Sequence, residues 1–168
     1  AVAVTATAIP LERRADPGNT VSIASVTDHC LIAPRDQYTT IGNSERPGGM
    51  LSYCTKPTGN AGQLPANFWT KIHLYKTNTY IQLTGCINPS AFDRLQPNDD
   101  GGQYDSNGGD GGRGNPENSV CKDYSSYVQL IEPSSKVACL RCCHNPGECD
   151  VSKDTAGCAA VIPGDYNC

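Results

Sequence analysis

Phe68-Trp69-Thr70-Lys71-Ile72-His73-Leu74-Tyr75, followed across Lys76-Thr77-Asn78 by Thr79-Tyr80-Ile81-Gln82-Leu83-Thr84-Gly85-Cys86-Ile87, decides the fold class. In the first run Thr70, Ile72 and Leu74 fall on one side, and Trp69, Lys71, His73 and Tyr75 on the other. In the second, Ile81, Leu83 and Ile87 share a side. A period of two belongs to a strand, whose successive side chains point to opposite faces. The short polar link between the runs suits a hairpin. A second hairpin is expected from residues 127–131 and 137–140, turning through Glu132-Pro133-Ser134-Ser135-Lys136, and residues 21–26 read as an outer strand. No long window carries apolar residues at helical spacing without Gly or Pro. The expectation is an all-β domain.

Ten cysteines extend that expectation outward: Cys30, Cys54, Cys86, Cys121, Cys139, Cys142, Cys143, Cys149, Cys158 and Cys168. An even number spread along the chain reads as a disulfide framework formed in an oxidising compartment. The predicted architecture is a compact, loop-rich β-sandwich or barrel-like domain stapled by about five disulfides. Connectivity is not legible, because ten half-cystines allow about 945 pairings. Cys139, Cys142, Cys143 and Cys149 have metal-like spacing, but zinc needs thiolates kept reduced. Adjacent Cys142 and Cys143 are instead expected to serve two different partners.

With 168 residues the chain is sized for one domain. Residues 1–14 read as a leader: residues 1–8 resemble the tail of a signal peptide, and Ile9-Pro10-Leu11-Glu12-Arg13-Arg14 a propeptide closed by a dibasic pair. Residues 15–168 form the single disulfide-rich domain. Thirteen Lys and Arg against 17 Asp and Glu give a net charge of -4, which excludes nucleic-acid binding driven by a basic surface. No stretch approaches the ~20 apolar residues of a membrane span. Asn88-Pro89-Ser90 is blocked as a glycosylation acceptor by its proline.

Residues 98–119 stand apart, with seven glycines among 22 residues, four Asp and one Glu against a single Arg. They read as a long Asp/Gly loop, the kind of segment that carries function. Calcium is the cation that Asp99, Asp100, Asp105, Asn107 and Asp110 would suit, since it takes six to eight oxygens. The EF-hand pattern fails, because Gly109 and Pro116 fall where its fifth and twelfth positions require other residues. Gly109-Asp110-Gly111-Gly112-Arg113-Gly114 matches a dinucleotide fingerprint in form only, with no strand before it and no helix after. Trp69, His73 and Tyr75 on one strand face, with Tyr104 in the loop, are the candidate ligand-binding rings, since aromatic faces stack on sugars.

Catalytic patterns are absent: neither G-x-S-x-G nor H-E-x-x-H occurs, and no catalytic residue is assigned. The histidines are His29 beside Asp28, His73 on a strand, and His144 beside a cysteine.

Three stretches carry a family likeness: residues 101–116, Ala138-Cys139-Leu140-Arg141-Cys142-Cys143, and Val161-Ile162-Pro163-Gly164. Through them the chain resembles a group of small, cysteine-rich, secreted fungal proteins, chiefly from basidiomycetes. The resemblance implies a fungal secreted origin and brings no activity with it. The function expected is that of a secreted, extracellular, non-enzymatic binding or assembly protein, presenting its acidic loop to a glycan, cell-wall or protein partner. A small polysaccharide hydrolase using loop carboxylates is the second reading. A self-assembling coat or fibre subunit, its apolar residues 1–9 pairing with a neighbour's sheet edge, is the third.

Overall fold

A computed structural model describes residues 19–168; the leader-like residues 1–14 lie outside the described residues. Ten strands form two five-stranded sheets. The first contains β1 (Thr20–Ser25), β2 (Asp28–Pro34), β3 (Met50–Cys54), β4 (Gly62–Gln63) and β8 (Val120–Cys121). The second contains β5 (Trp69–Lys76), β6 (Tyr80–Ile87), β7 (Gly102–Asp105), β9 (Ser126–Glu132) and β10 (Val137–Cys143). The spatial orders are β4-β3-β2-β1-β8 and β5-β6-β10-β9-β7, so the fold is an open two-sheet arrangement and neither sheet closes into a barrel. Among the described residues, helix is confined to two four-residue turns, α1 (Ile41–Ser44) and α2 (Cys158–Val161), and a few 3-10 turns.

Both expected hairpins form, β5 with β6 and β9 with β10, and each is antiparallel. The apolar core draws on both sheets: Leu31 and Ile32 from the first cluster with Leu83, Tyr127, Ile131 and Leu140 from the second, all at most 1% exposed. Phe68 and Phe92 pack edge-on within this core, their ring centroids 5.7 Å apart. Gln129 crosses between the sheets. Its Oε1 accepts from the Ile32 N–H at 2.8 Å and its Nε2 donates to the Ile32 carbonyl at 2.7 Å. The need arises because β1 pairs with β2 from Ser22–Cys30 to Ser25–Asp28, while Thr20 and Val21 pair with β8. The amide of Gln129 thus takes the place of a missing neighbouring strand.

Alternation alone does not describe the second sheet, because it is buried on both faces. β6 and β9 are almost continuously buried along their length. The outer face is covered by residues 144–168, whose Cys149, Cys158, Val161 and Ile162 pack with Val128, Leu130, Cys139 and Cys143 into a second apolar cluster. Three disulfides tie this cover down: Cys86–Cys168, Cys139–Cys158 and Cys143–Cys149. Cys30–Cys54 joins β2 to β3, and Cys121–Cys142 joins β8 to β10 across the sandwich. All ten cysteines are therefore paired, and the adjacent Cys142 and Cys143 do serve different partners.

Two sequence expectations are corrected. Residues 98–119 are not one structureless loop, because Gly102–Asp105 forms β7 and pairs with β9. The face shared by Trp69, His73 and Tyr75 does not assemble. A bulge between Trp69 and Lys71 shifts the register, so that Trp69 pairs with Ile87 while Lys71 pairs with Cys86. One extra residue reverses the side on which everything before it falls. Trp69 consequently packs on the inner core beside Ile72, leaving His73 and Tyr75 on the outer face.

Candidate functional site

A concavity of about 510 Å³ lies between the chain after β2 and the chain after β7. One wall is Arg35, Glu45, Arg46, Pro47 and Gly48, with Met50 of β3 beneath; the other is residues 109–110 and 113–117. α1 sets the first wall. Thr40 caps it by accepting from the Asn43 N–H at 3.2 Å, and Asp99 Oδ2 accepts from the Ile41 N–H at 2.7 Å. The helix ends after one turn at Glu45, which delivers Glu45 and Arg46 to the groove.

Asp105 shapes the second wall. Its buried carboxylate accepts from the N–H groups of Asn107 (2.9 Å) and Gly108, and from Gln103 Nε2 at 3.1 Å. Its backbone exchanges two hydrogen bonds with Asn115, of 2.8 and 2.9 Å, closing the segment into a folded excursion. Gly114 permits that closure. At φ 97° a side chain there is strained, and a Cβ would sit 2.9–3.1 Å from three carbonyl oxygens.

The chemistry of the lining is evenly mixed. Arg35, Arg46 and Arg113 supply guanidinium donors; Glu45, Asp110 and Glu117 supply carboxylate acceptors. Arg113 pairs with Glu117 at 3.2 Å within the groove, and Arg46 with Asp36 at 2.9 Å outside it. The Glu45 side chain is solvent-accessible yet lies against Gly102 and Asn115. Partial loss of solvent raises its pKa; the hydrogen bond to Asn115 opposes this, and the charges of Asp154 and Asp105 add to it.

Tyr38 stands on the same segment, 62% exposed and at φ 50°, a conformation uncommon for a bulky residue. It is held there by its N–H, which donates to the Asp93 carbonyl at 2.8 Å, while the Thr39 N–H donates to Arg94 at 3.1 Å. Three residues of chain place it within ~10 Å of Arg35.

The residues singled out in the sequence are placed apart. Tyr104 is fully buried, with its hydroxyl 2.7 Å from Ser44 Oγ, and burial holds its pKa far above the usual phenol range. Trp69 Nε1 donates to His29 Nε2 at 3.0 Å. His73 lies 3.4 Å from Asp165, and Tyr75 is 57% exposed. Of the oxygen set, Asp99 caps Ile41 and Gly101, Asp100 accepts from Ser134 Oγ at 3.0 Å, and Asn107 accepts from Ser106 Oγ at 2.5 Å. Only Asp110 lines the groove. Among the described residues no three His, Cys, Asp or Glu side chains gather around a common point. Sequence reasoning missed Arg35, Glu45, Arg46, Arg113 and Asn115, which meet across more than sixty residues of chain with no local pattern linking them.

The sequence is 30% identical over 160 residues to appressorium protein ROW1 of the basidiomycete Mycosarcoma maydis. The match takes in 88% of this chain and 37% of that protein, so the chain spans well under half of the curated relative's length. It supports the fungal grouping read from residues 101–116. No protein-family model matches, and no solved structure matches.

Proposed function

We propose that the chain is a non-enzymatic binding module of a fungal extracellular protein, and that the groove between residues 35–50 and 109–117 takes a neutral glycan. The observation that carries this is the lining: three guanidiniums and three carboxylates in one concavity, with no net charge. Sugar hydroxyls donate and accept at once, so such a surface satisfies them from both sides. A nucleotide or an acidic polymer would meet three carboxylates, and a cationic peptide three guanidiniums. Tyr38, exposed on the segment that carries Arg35 though outside the groove's lining, offers a ring suited to stacking on a pyranose face. Five disulfides fit a chain folded in an oxidising compartment, and the relative is named as an appressorium protein of a fungus.

The test is titration of the disulfide-intact protein with cellulose-type, laminarin-type and chitin-type oligosaccharides, followed by NMR and by analysis of the sugars afterwards. Binding to one class is expected, with shifts at residues 45–48 and 109–117 and no shorter sugars released. Arg113→Ala should weaken it at least about tenfold. Release of shorter sugars would replace binding by hydrolysis, and silence across all three classes would end the glycan reading.

A further inference from the structure

We propose that His29 and Trp69 form an acid-released latch between the two sheets, in which a proton taken up on His29 Nε2 frees Trp69 and the end of β5 that it starts. His29 belongs to β2 of the first sheet and Trp69 to β5 of the second. The Trp69 Nε1–H donates to His29 Nε2 at 3.0 Å, and the rings meet edge to face with centroids 6.1 Å apart. His29 Nδ1 lies 3.3 Å from the Ser25 carbonyl oxygen. These partners leave the imidazole one tautomer. An indole N–H can only donate and a carbonyl oxygen can only accept, so Nε2 carries the lone pair and Nδ1 the proton. Neutral imidazole satisfies both contacts; imidazolium cannot. A proton on Nε2 sets a donor against a donor and breaks the contact between the sheets, while Nδ1–H keeps the Ser25 carbonyl.

The surroundings keep the release local. The ring is 1% exposed, and burial holds its protonation below pH 6.5. Asp28, next to it on β2, is the charge that favours the proton, and Lys56 shares that carboxylate at 3.4 Å. The other elements around His29 present uncharged groups: Ser25 and Val26 at the β1–β2 turn, Thr55 after β3, and the Trp69 indole. β5 is an edge strand that pairs only with β6, and its bulge between Trp69 and Lys71 already breaks the register beside the latch. Before it, Phe68 is fully buried and its carbonyl accepts from the Asn88 N–H at 2.7 Å. Beyond it, Lys71 Nζ donates to the Asn167 carbonyl at 2.8 Å, and Cys86–Cys168 fixes the neighbouring strand. His73 answers acid in the opposite sense, since a proton there strengthens its 3.4 Å contact with Asp165. Trp69 can therefore leave the first sheet while the chain on either side of it stays held.

The test follows the isotope-labelled, disulfide-intact protein by NMR from about pH 8 to about pH 4. Trp69, the chain's one tryptophan, is read by fluorescence in parallel. Its indole N–H should lose the hydrogen-bonded shift and exchange faster in step with His29 protonation, and the fluorescence change should share that midpoint. The amides of Leu83, Leu130 and Leu140 should stay protected throughout. Trp69→Phe keeps a ring but removes the donor that favours neutral His29, so the His29 midpoint should rise by about half a pH unit or more. His73→Gln should leave the Trp69 transition where it was, and His29→Gln should abolish it. If His29→Gln does not fold, the Trp69→Phe comparison carries the same test. The proposal is overturned by an indole signal that ignores His29 protonation or by a His29 that stays neutral to the end. It is equally overturned by a midpoint indifferent to Trp69→Phe, or by core protection lost at the same pH. Neither residue lines the groove, so oligosaccharide binding there is a separate measurement.

Discussion

Replacing Gln129 by leucine removes both hydrogen bonds to Ile32 while keeping the side chain's volume close to the original. Gln129 and Ile32 are both fully buried, so water cannot repair the loss. Two backbone groups are left unsatisfied, each costing about 1–3 kcal/mol. The apolar replacement returns about 1 kcal/mol through burial. The net loss is about 1–5 kcal/mol, a large share of the ~5–15 kcal/mol that holds a typical domain folded. Urea unfolding with the disulfides intact reads this directly. With a slope of about 2 kcal/mol per molar, the midpoint should fall by roughly 0.5–2.5 M with the slope unchanged. Gln129→Glu keeps an acceptor for the Ile32 N–H but loses the donor and buries a charge, so it should be worse at neutral pH than in acid. Gln37→Leu, at an exposed position, should move stability by no more than about 0.5 kcal/mol. A fall of under about 0.5 M for Gln129→Leu would refute the account of the amide as a substitute strand.

Burial of His29 lowers its pKa from 6.5, against weaker opposing contributions from the Ser25 carbonyl and Asp28. Between the folded pKa and 6.5 the unfolded chain binds a proton that the folded chain does not. Stability should therefore be level above about pH 6.5 and fall below it by at most ~1.4 kcal/mol per pH unit, as read by Trp69 fluorescence during unfolding. His29→Leu should flatten that slope while lowering stability overall. Gly114→Ala should cost about 2–4 kcal/mol by thermal unfolding, whereas Gly112→Ala, whose nearest obstacle is 3.4 Å away, should cost about 1 kcal/mol. Deleting Cys86–Cys168, which spans 82 residues, should cost about 4.5 kcal/mol, against about 2 kcal/mol for the six-residue Cys143–Cys149 loop. Comparable losses would argue that strain or residual structure, not loop length, decides. In oligosaccharide titrations, Tyr38→Ala should weaken binding while leaving the melting temperature within a degree or two.

The hairpins were legible because Ile72, Leu74, Ile81 and Leu83 alternate without interruption. β2 was not, since Cys30-Leu31-Ile32-Ala33-Pro34 is apolar throughout and shows no period. β7 was hidden by Gly101, Gly102 and Asp105, residues that discourage strands unless a neighbour such as β9 supplies the pairing. The bulge that turns Trp69 inward leaves no mark in composition, because it concerns how Thr70 is accommodated against β6. The groove escaped for a related reason. Its guanidiniums and carboxylates come from two segments, one folded back by the Asp105–Asn115 pairing and tied to the other by the Asp99 cap on α1, contacts set by tertiary structure. Asp99 and Asp105, conspicuous as oxygen donors, are used to hold backbone.

The cover over the second sheet also sets a timetable. The strands it protects are complete at Cys143, but Val128, Leu130 and Cys139 have nothing to pack against until residues 149–162 emerge. At ribosomal speeds of about 5–20 residues per second, that apolar face stays wet for roughly 1–4 s. During the interval Cys86, Cys139 and Cys143 are thiols without their partners, side by side on one sheet with Cys142. Premature oxidation among them would trap a sheet that can no longer be covered. Folding yield in the cell should therefore depend on disulfide isomerase more steeply than the stability of the finished protein would suggest.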